Sequence, residues 1–292
     1  MNSPIGKRVQ SPLNMVLTTK SPEALQGLLS YINTDEQLRT IQGASDAIGT
    51  LHFARLVDFN YRNQLGFLTV FDGDFRQYFS DFIKYLGPMF DAMFTIVVDG
   101  PPVPCAKNQQ AFIDWSFAHN PEGIGFYSAY PSLSVQDIRS RARITQGAMG
   151  EGRVQSSITV VFPAKSSDHL KSLSQLVTRS LPQFYAAGEA LGTLHFARFL
   201  PLGESTMMLI AEHDGSVDAL AQGLSKHLGP TFDAMFEHVV NPPATSVQQH
   251  TPAFVDWISA HRVKPFNPYS AYPTLTVQDI RNGATARNSV AS

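Results

Sequence analysis

Gly49-Thr50-Leu51-His52-Phe53-Ala54-Arg55 returns residue for residue as Gly192-Thr193-Leu194-His195-Phe196-Ala197-Arg198. Outward from these copies the agreement continues. Arg8-Val9-Gln10-Ser11 reappears 145 positions on as Arg153-Val154-Gln155-Ser156, and the histidines lie 143 apart. From Asp72/Asp214 onward the offset is 142, held through Trp115/Trp257, His119/His261 and Tyr127/Tyr269. An offset this steady, changing only in loop-like stretches, reads as a duplicated domain. Its period is far longer than that of a solenoid repeat. The reading divides the chain into repeat 1 (8–143), a glycine-bearing linker (144–152), repeat 2 (153–282) and a small polar tail (283–292) expected to fray.

Each repeat reads alike. Leu13 to Thr19 and Ser157 to Phe162 are short runs rich in β-formers, hence first strands. Leucines at helical spacing predict amphipathic helices over Pro22 to Ile48 and Ser167 to Leu191, each ended by a glycine. Leu51 to Phe59 and Leu194 to Leu202 form second strands; Gly66 to Phe71 and Thr206 to Glu212 form third strands. A long helical pattern follows, interrupted in both copies by Gly87-Pro88 and Gly229-Pro230, where a kink is expected. Short helices around Trp115 and Trp257 precede fourth strands at Tyr127 to Pro131 and Tyr269 to Pro273, then terminal helices at Ser134 to Arg143 and Thr276 to Asn282. Strand, helix, strand, strand, helix, strand is the ferredoxin-like order. The predicted fold class is therefore α+β, two tandem ferredoxin-like (βαββαβ) repeats whose open sheet faces meet as a pseudo-dimeric α/β barrel.

Composition narrows the function classes. In 292 residues, 43% are hydrophobic and 16% charged, the balance of a globular protein. Formal net charge is -2 with no block of like charges, so a nucleic-acid footprint or polybasic membrane patch is not expected. No apolar run is long enough to span a bilayer, and no signal-type segment follows Lys7 and Arg8. Cys105 has no second cysteine to pair with, which fits a reducing, cytoplasmic setting. Twenty phenylalanines would fill a tight core or line an apolar pocket.

Chemistry-bearing residues are few. Strand alternation puts His52 and Ala54 on one sheet face, and Leu51, Phe53 and Arg55 on the other. His52 and His195, with Arg55 and Arg198, are the catalytic candidates; structural histidines bonded to backbone carbonyls are the plainer reading. His52, His195, Phe53, Phe196, Tyr127 and Tyr269 are the ligand-binding candidates; the cavity is expected between the sheets or between sheet and helices, and a sheet-to-sheet seam lined with Phe and Tyr would suit a flat apolar ligand. Asp72 and Asp214 read as turn and helix-capping residues. Asp91 and Asp233 read as buried ion-pair partners of Arg55 and Arg198. Nine histidines show no metal-ligand spacing, and no metal is expected. His169, His213, His227, His238 and His250 occur only in repeat 2; of these, His227 and His238, read on the long helix, are candidate axial ligands for a haem.

With Leu-His-Phe-Ala-Arg, the Phe-Asp-Gly-Asp turn and Gly-Pro-x-Phe-Asp-Ala-Met-Phe in hand, the chain resembles bacterial domains of the dimeric α/β-barrel superfamily. Some of those domains occur beside haem peroxidases and lipid-oxidising enzymes. The resemblance covers both repeats and implies a barrel, with haem or direct oxygen chemistry as one expectation. The superfamily's dye-decolourising peroxidases place an aspartate in a Gly-x-x-Asp-Gly setting. Val70-Phe71-Asp72-Gly73 and Glu212-His213-Asp214-Gly215 depart from it, which counts against peroxidase activity. Three readings follow. The first is a binding module for an apolar or aromatic small molecule, accessory to oxidative metabolism. The second is a haem- or oxygen-dependent oxidoreductase; the third is a scaffold that binds a partner enzyme.

Overall fold

Local capping chemistry divides the predicted helices. The computed structural model describes residues 9–59, 63–150 and 153–283; Arg8, Asn60 to Arg62, Glu151, Gly152 and the tail beyond Gly283 lie outside the described residues. After β1 (Gln10–Thr18), the stretch read as one helix is two, α1 (Pro22–Ile32) and α2 (Asp35–Ile48). Thr34 restarts the helix by accepting the amide of Gln37 on its hydroxyl. The matching stretch after β6 (Gln155–Pro163) is likewise split, into α6 (Ser167–Arg179) and α7 (Leu181–Leu191), where Pro182 supplies no amide hydrogen. Gly49 and Gly192 end α2 and α7 in left-handed geometry, at φ 69° and 65°.

The first half continues with β2 (Leu51–Asp58), β3 (Gln64–Asp72), α3 (Phe75–Thr95), α4 (Gln109–Ala118), β4 (Ile124–Ser128) and α5 (Val135–Ala142). Between the halves lies the short β5 (Ala148–Met149). The second half continues with β7 (Leu194–Leu202), β8 (Thr206–Asp214), α8 (Val217–Phe236), α9 (Thr251–His261), β9 (Arg262–Val263), β10 (Pro265–Ser270) and α10 (Val277–Arg281). The expected kink in α3 falls at Leu86, whose φ of -128° leaves helical geometry two residues before Pro88.

The strands form two antiparallel five-stranded sheets, ordered β1-β3-β2-β10-β5 and β4-β7-β8-β6-β9. Each half therefore gives its fourth strand to the other half's sheet: β10 pairs with β2, and β4 with β7. This exchange is absent from a reading of two self-contained repeats. The sheets meet through their side chains. Phe53 and Phe196 approach to 5.8 Å, and Val57, Phe59 and Leu68 pack with Leu200, Met208 and Ile210 farther along the seam. Among the described residues no helix is long and apolar enough to cross a membrane.

Asp91 and Asp233 do not pair with the buried arginines. Each carboxylate accepts a backbone amide instead, Asp91 from Cys105 at 2.6 Å and Asp233 from Val247 at 2.9 Å. These bonds tie the segment after the long helix back onto it. Burial, reinforced by the Asp91 carboxylate, pushes the Cys105 thiol up to about 12. Cys105 is thus expected to resist alkylation in the folded protein at mildly alkaline pH and to react fully in denaturant. Mass spectrometry after iodoacetamide treatment would check both.

Candidate functional site

The centre of the seam is a continuous line of hydrogen bonds. A bulge where β2 pairs with β3 slips the register between Leu51 and Phe53, and the same slip occurs between Leu194 and Phe196. Strict alternation therefore fails here. The rings of His52 and Phe53 both turn to the seam and both contact Tyr272, while Ala54 falls on the helix side with Leu51. Tyr272 and Tyr130 lie two residues past β10 and β4, each held by its amide donating to the hydroxyl of Ser270 or Ser128. Strand exchange brings each tyrosine to the histidine of the opposite half.

His52 Nε2 lies 2.7 Å from Asp72 Oδ1, and His52 Nδ1 lies 2.8 Å from the Tyr272 hydroxyl. The Tyr272 and Tyr130 hydroxyls are 2.9 Å apart. Tyr130 then reaches His195 Nδ1 at 2.7 Å, and His195 Nε2 reaches Asp214 Oδ1 at 2.8 Å. The outer carboxylate oxygens accept the amides of Val135 and Val277, at 2.7 and 2.8 Å. So Asp72 and Asp214 hold the starts of α5 and α10; the helices that follow them, α3 and α8, are capped by Asp74 and Ser216. The histidines bond to side chains rather than to backbone carbonyls. Both imidazoles are wholly buried, as are the tyrosines. Burial holds both phenols well above their ordinary value, so they stay protonated. Burial also lowers His195, against the opposing pull of Asp214.

The two arginines differ. Arg55 crosses the seam to pair with Glu212 of β8 and donates to Ile158 O at 2.9 Å and Thr159 Oγ1 at 3.2 Å. Arg198 meets only neutral acceptors among the described residues: Asn14 Oδ1, Leu13 O and Thr69 O. Val70 stands where Glu212 would have its counterpart. Burial lowers Arg198 to about 9 and takes Arg55 well below its ordinary value.

Two apolar pockets flank the seam, each between a sheet and its helices. One, with about 50 Å³ of free space, is lined by Leu51, Ala54, Phe67, Phe82, Leu86 and Tyr269, among others. The other, with about 40 Å³, is lined by the matching Leu194, Ala197, Leu209, Leu224, Leu228 and Tyr127. Tyr127 donates its hydroxyl to Glu189, which Arg281 also binds; Tyr269 donates to Asp46, which Arg139 binds. These clamps take up the polar ends of both tyrosines. Sequence reading did not find them, because each joins residues about sixty or more positions apart.

Of the predicted ligand contacts, then, Tyr127 and Tyr269 line pockets, whereas His52, His195, Phe53 and Phe196 line neither. Arg55 and Arg198 border the pockets, but their guanidinium groups bond across the seam. The haem candidates do not fit. His227 is exposed on α8, and His238 sits two residues beyond that helix with its Nδ1 3.0 Å from that of His169. No histidine lines either pocket, so neither offers an axial ligand. His213 is the repeat-2 histidine with an unusual setting. It replaces Phe71, has a buried Nε2 without a partner, and is lowered to about 4 by burial, hence neutral. Among the described residues, no group of three or more metal-ligating side chains is gathered.

No family model matches the chain, and no curated protein matches it. Its fold is similar to a crystal structure from Fusobacterium nucleatum, provisionally assigned as a monooxygenase, at 9% identity and a TM-score of 0.36, over 92% of this chain and 97% of that one. A Lactobacillus acidophilus protein with the same provisional assignment aligns at 7% identity and a TM-score of 0.29, over 89% and 97%. Scores this low leave function to be argued from the geometry of the chain itself.

Proposed function

We propose that the chain is a fused pair of ferredoxin-like repeats closed as a pseudo-dimeric α/β barrel, and that it binds apolar or aromatic small molecules, one in each half. The observation that carries this reading is the pair of flanking pockets, built from matching residues at matching places. Both are apolar in their lining but narrow, with about 50 and 40 Å³ of free space, so a ligand enters only by parting the side chains that wall them. The tyrosine hydroxyls at their margins are already bonded to Glu189 and Asp46, so an uncharged ligand chosen by shape fits better than an acid or an amine. The oxidoreductase reading would need a substrate at His52 or His195. Both rings lie fully buried in the seam and line neither pocket, which favours binding over turnover.

Ala54 and Ala197 occupy the same place in the two pockets, so enlarging one should close one site. Calorimetric titration with a panel of flat aromatic hydrocarbons and phenols is expected to give two sites per chain. Ala54→Leu or Ala197→Leu should leave one, with affinity for the closed site falling at least about tenfold through overpacking. A panel that produces no heat and no thermal shift, or variants that still bind two molecules, would overturn the proposal.

A further inference from the structure

The six-residue line in the seam has more bonds than its neutral groups have hydrogens to fill. It contains five links: Asp72–His52, His52–Tyr272, Tyr272–Tyr130, Tyr130–His195 and His195–Asp214. Each link needs one hydrogen. With both carboxylates acting only as acceptors, two neutral imidazoles and two phenols supply four. Nε2 of each histidine carries hydrogen to meet its carboxylate, so one of the three inner links is left without any. If both phenols donate to imidazoles, their oxygens oppose lone pairs at 2.9 Å; if one phenol donates to the other, an imidazole nitrogen and a phenol oxygen oppose lone pairs instead.

We infer that this line is a binding site for one additional proton, shared between His52 and His195. With five hydrogens every link is filled. When His52 is the imidazolium, its Nδ1–H donates to Tyr272, Tyr272 donates to Tyr130, and Tyr130 donates to His195. Reversing all three donations moves the charge to His195 with no change in heavy-atom positions. The transfer is balanced: one proton leaves Nδ1 of one histidine, each hydroxyl passes its own along, and one arrives at Nδ1 of the other. The site then carries two carboxylates and one imidazolium, a net charge of -1.

Its surroundings limit the occupancy to one: burial works against charge on His195, and Asp214 opposes burial. Arg281 of α10 acts on both His195 and Tyr130 and disfavours added positive charge there. Arg139 of α5 donates to Ala271 O, beside Tyr272, and is itself paired with Asp46. His213 of β8 is held neutral, and Tyr127 and Tyr269 of the exchanged strands stay protonated. His52 and His195 repel each other once one is charged, so the second imidazole remains neutral. Asp72 and Asp214 at the two ends hold the single charge that enters. Ligand binding in the flanking pockets is not needed for any of this.

Nitrogen-15 histidine spectra of the intact protein at neutral pH test the site directly, because an imidazolium has hydrogen on both ring nitrogens. The expected result is one imidazolium equivalent summed over His52 and His195, either on one ring or averaged over both. Two neutral rings or two charged rings in the wild-type protein would overturn the inference, whatever any variant does. Tyr272→Phe and Tyr130→Phe extend the test. Either leaves three links and three hydrogens, so the extra proton should be lost and both rings should become neutral. A folded variant that keeps its imidazolium would also overturn the inference, since the charge would then owe nothing to the tyrosine pair.

Discussion

Glu212→Ala is expected to lower the unfolding free energy by about 3–5 kcal/mol. Glu212 and Arg55 pair across the seam with side chains only 4% and 1% exposed. Removing the carboxylate strands a buried guanidinium whose Nε already has no partner. It also removes the acceptor of the Ser157 hydroxyl. The pair itself need not be strongly stabilising, because both charges left water to form it. Arg55→Met with Glu212→Leu should therefore recover most of the loss. Urea unfolding of the single and double variants would check this; a single variant within about 1 kcal/mol of wild type would show that the buried charge is relieved in some other way.

Phe53→Ala and Phe196→Ala should each cost about 3–5 kcal/mol. The two rings are almost wholly buried and meet at 5.8 Å, edge to face. Phe53 also packs against His195 and Tyr272, and Phe196 against His52 and Tyr130, so each alanine opens space beside the proton-bearing line as well. Because the cavities would adjoin, the double variant is expected to depart from additivity by about 0.5 kcal/mol or more. Denaturant curves for the three variants measure that coupling. Additive losses would mean that the rings do not share one packed centre.

Much of this architecture was legible in the residues. Strand and helix positions followed from the apolar periodicity, and the Leu-His-Phe-Ala-Arg pair marked the strands that bring the histidines together. What could not be read was the choice of partner. Nothing near Ile124 or Pro265 says that β4 and β10 will pair with the opposite half, since antiparallel pairing depends on edges formed far away in sequence. The bulges after Leu51 and Leu194 defeated strict alternation, so His52 and Phe53 were assigned opposite faces although both turn to the seam. Arg55 was expected to find a carboxylate, and it does. Asp91 was the wrong candidate because the Cys105 amide claims it, and Glu212 lies across a sheet boundary invisible to spacing. The pockets fell between sheet and helices, one of the two places anticipated, and their tyrosine clamps depend on contacts that no local pattern encodes.

The exchange of fourth strands also sets an order in time. As the polypeptide leaves the ribosome, β2 has its neighbour β3 but must wait some two hundred residues for β10. Tyr272, the last member of the central line, is made 220 residues after His52. Until then β2 has an open edge and His52 lacks its Tyr272 partner. Closure is thus a late, long-range event. Through that interval the nascent first half is an unfinished sheet, the stage at which such a chain is most exposed to mispairing.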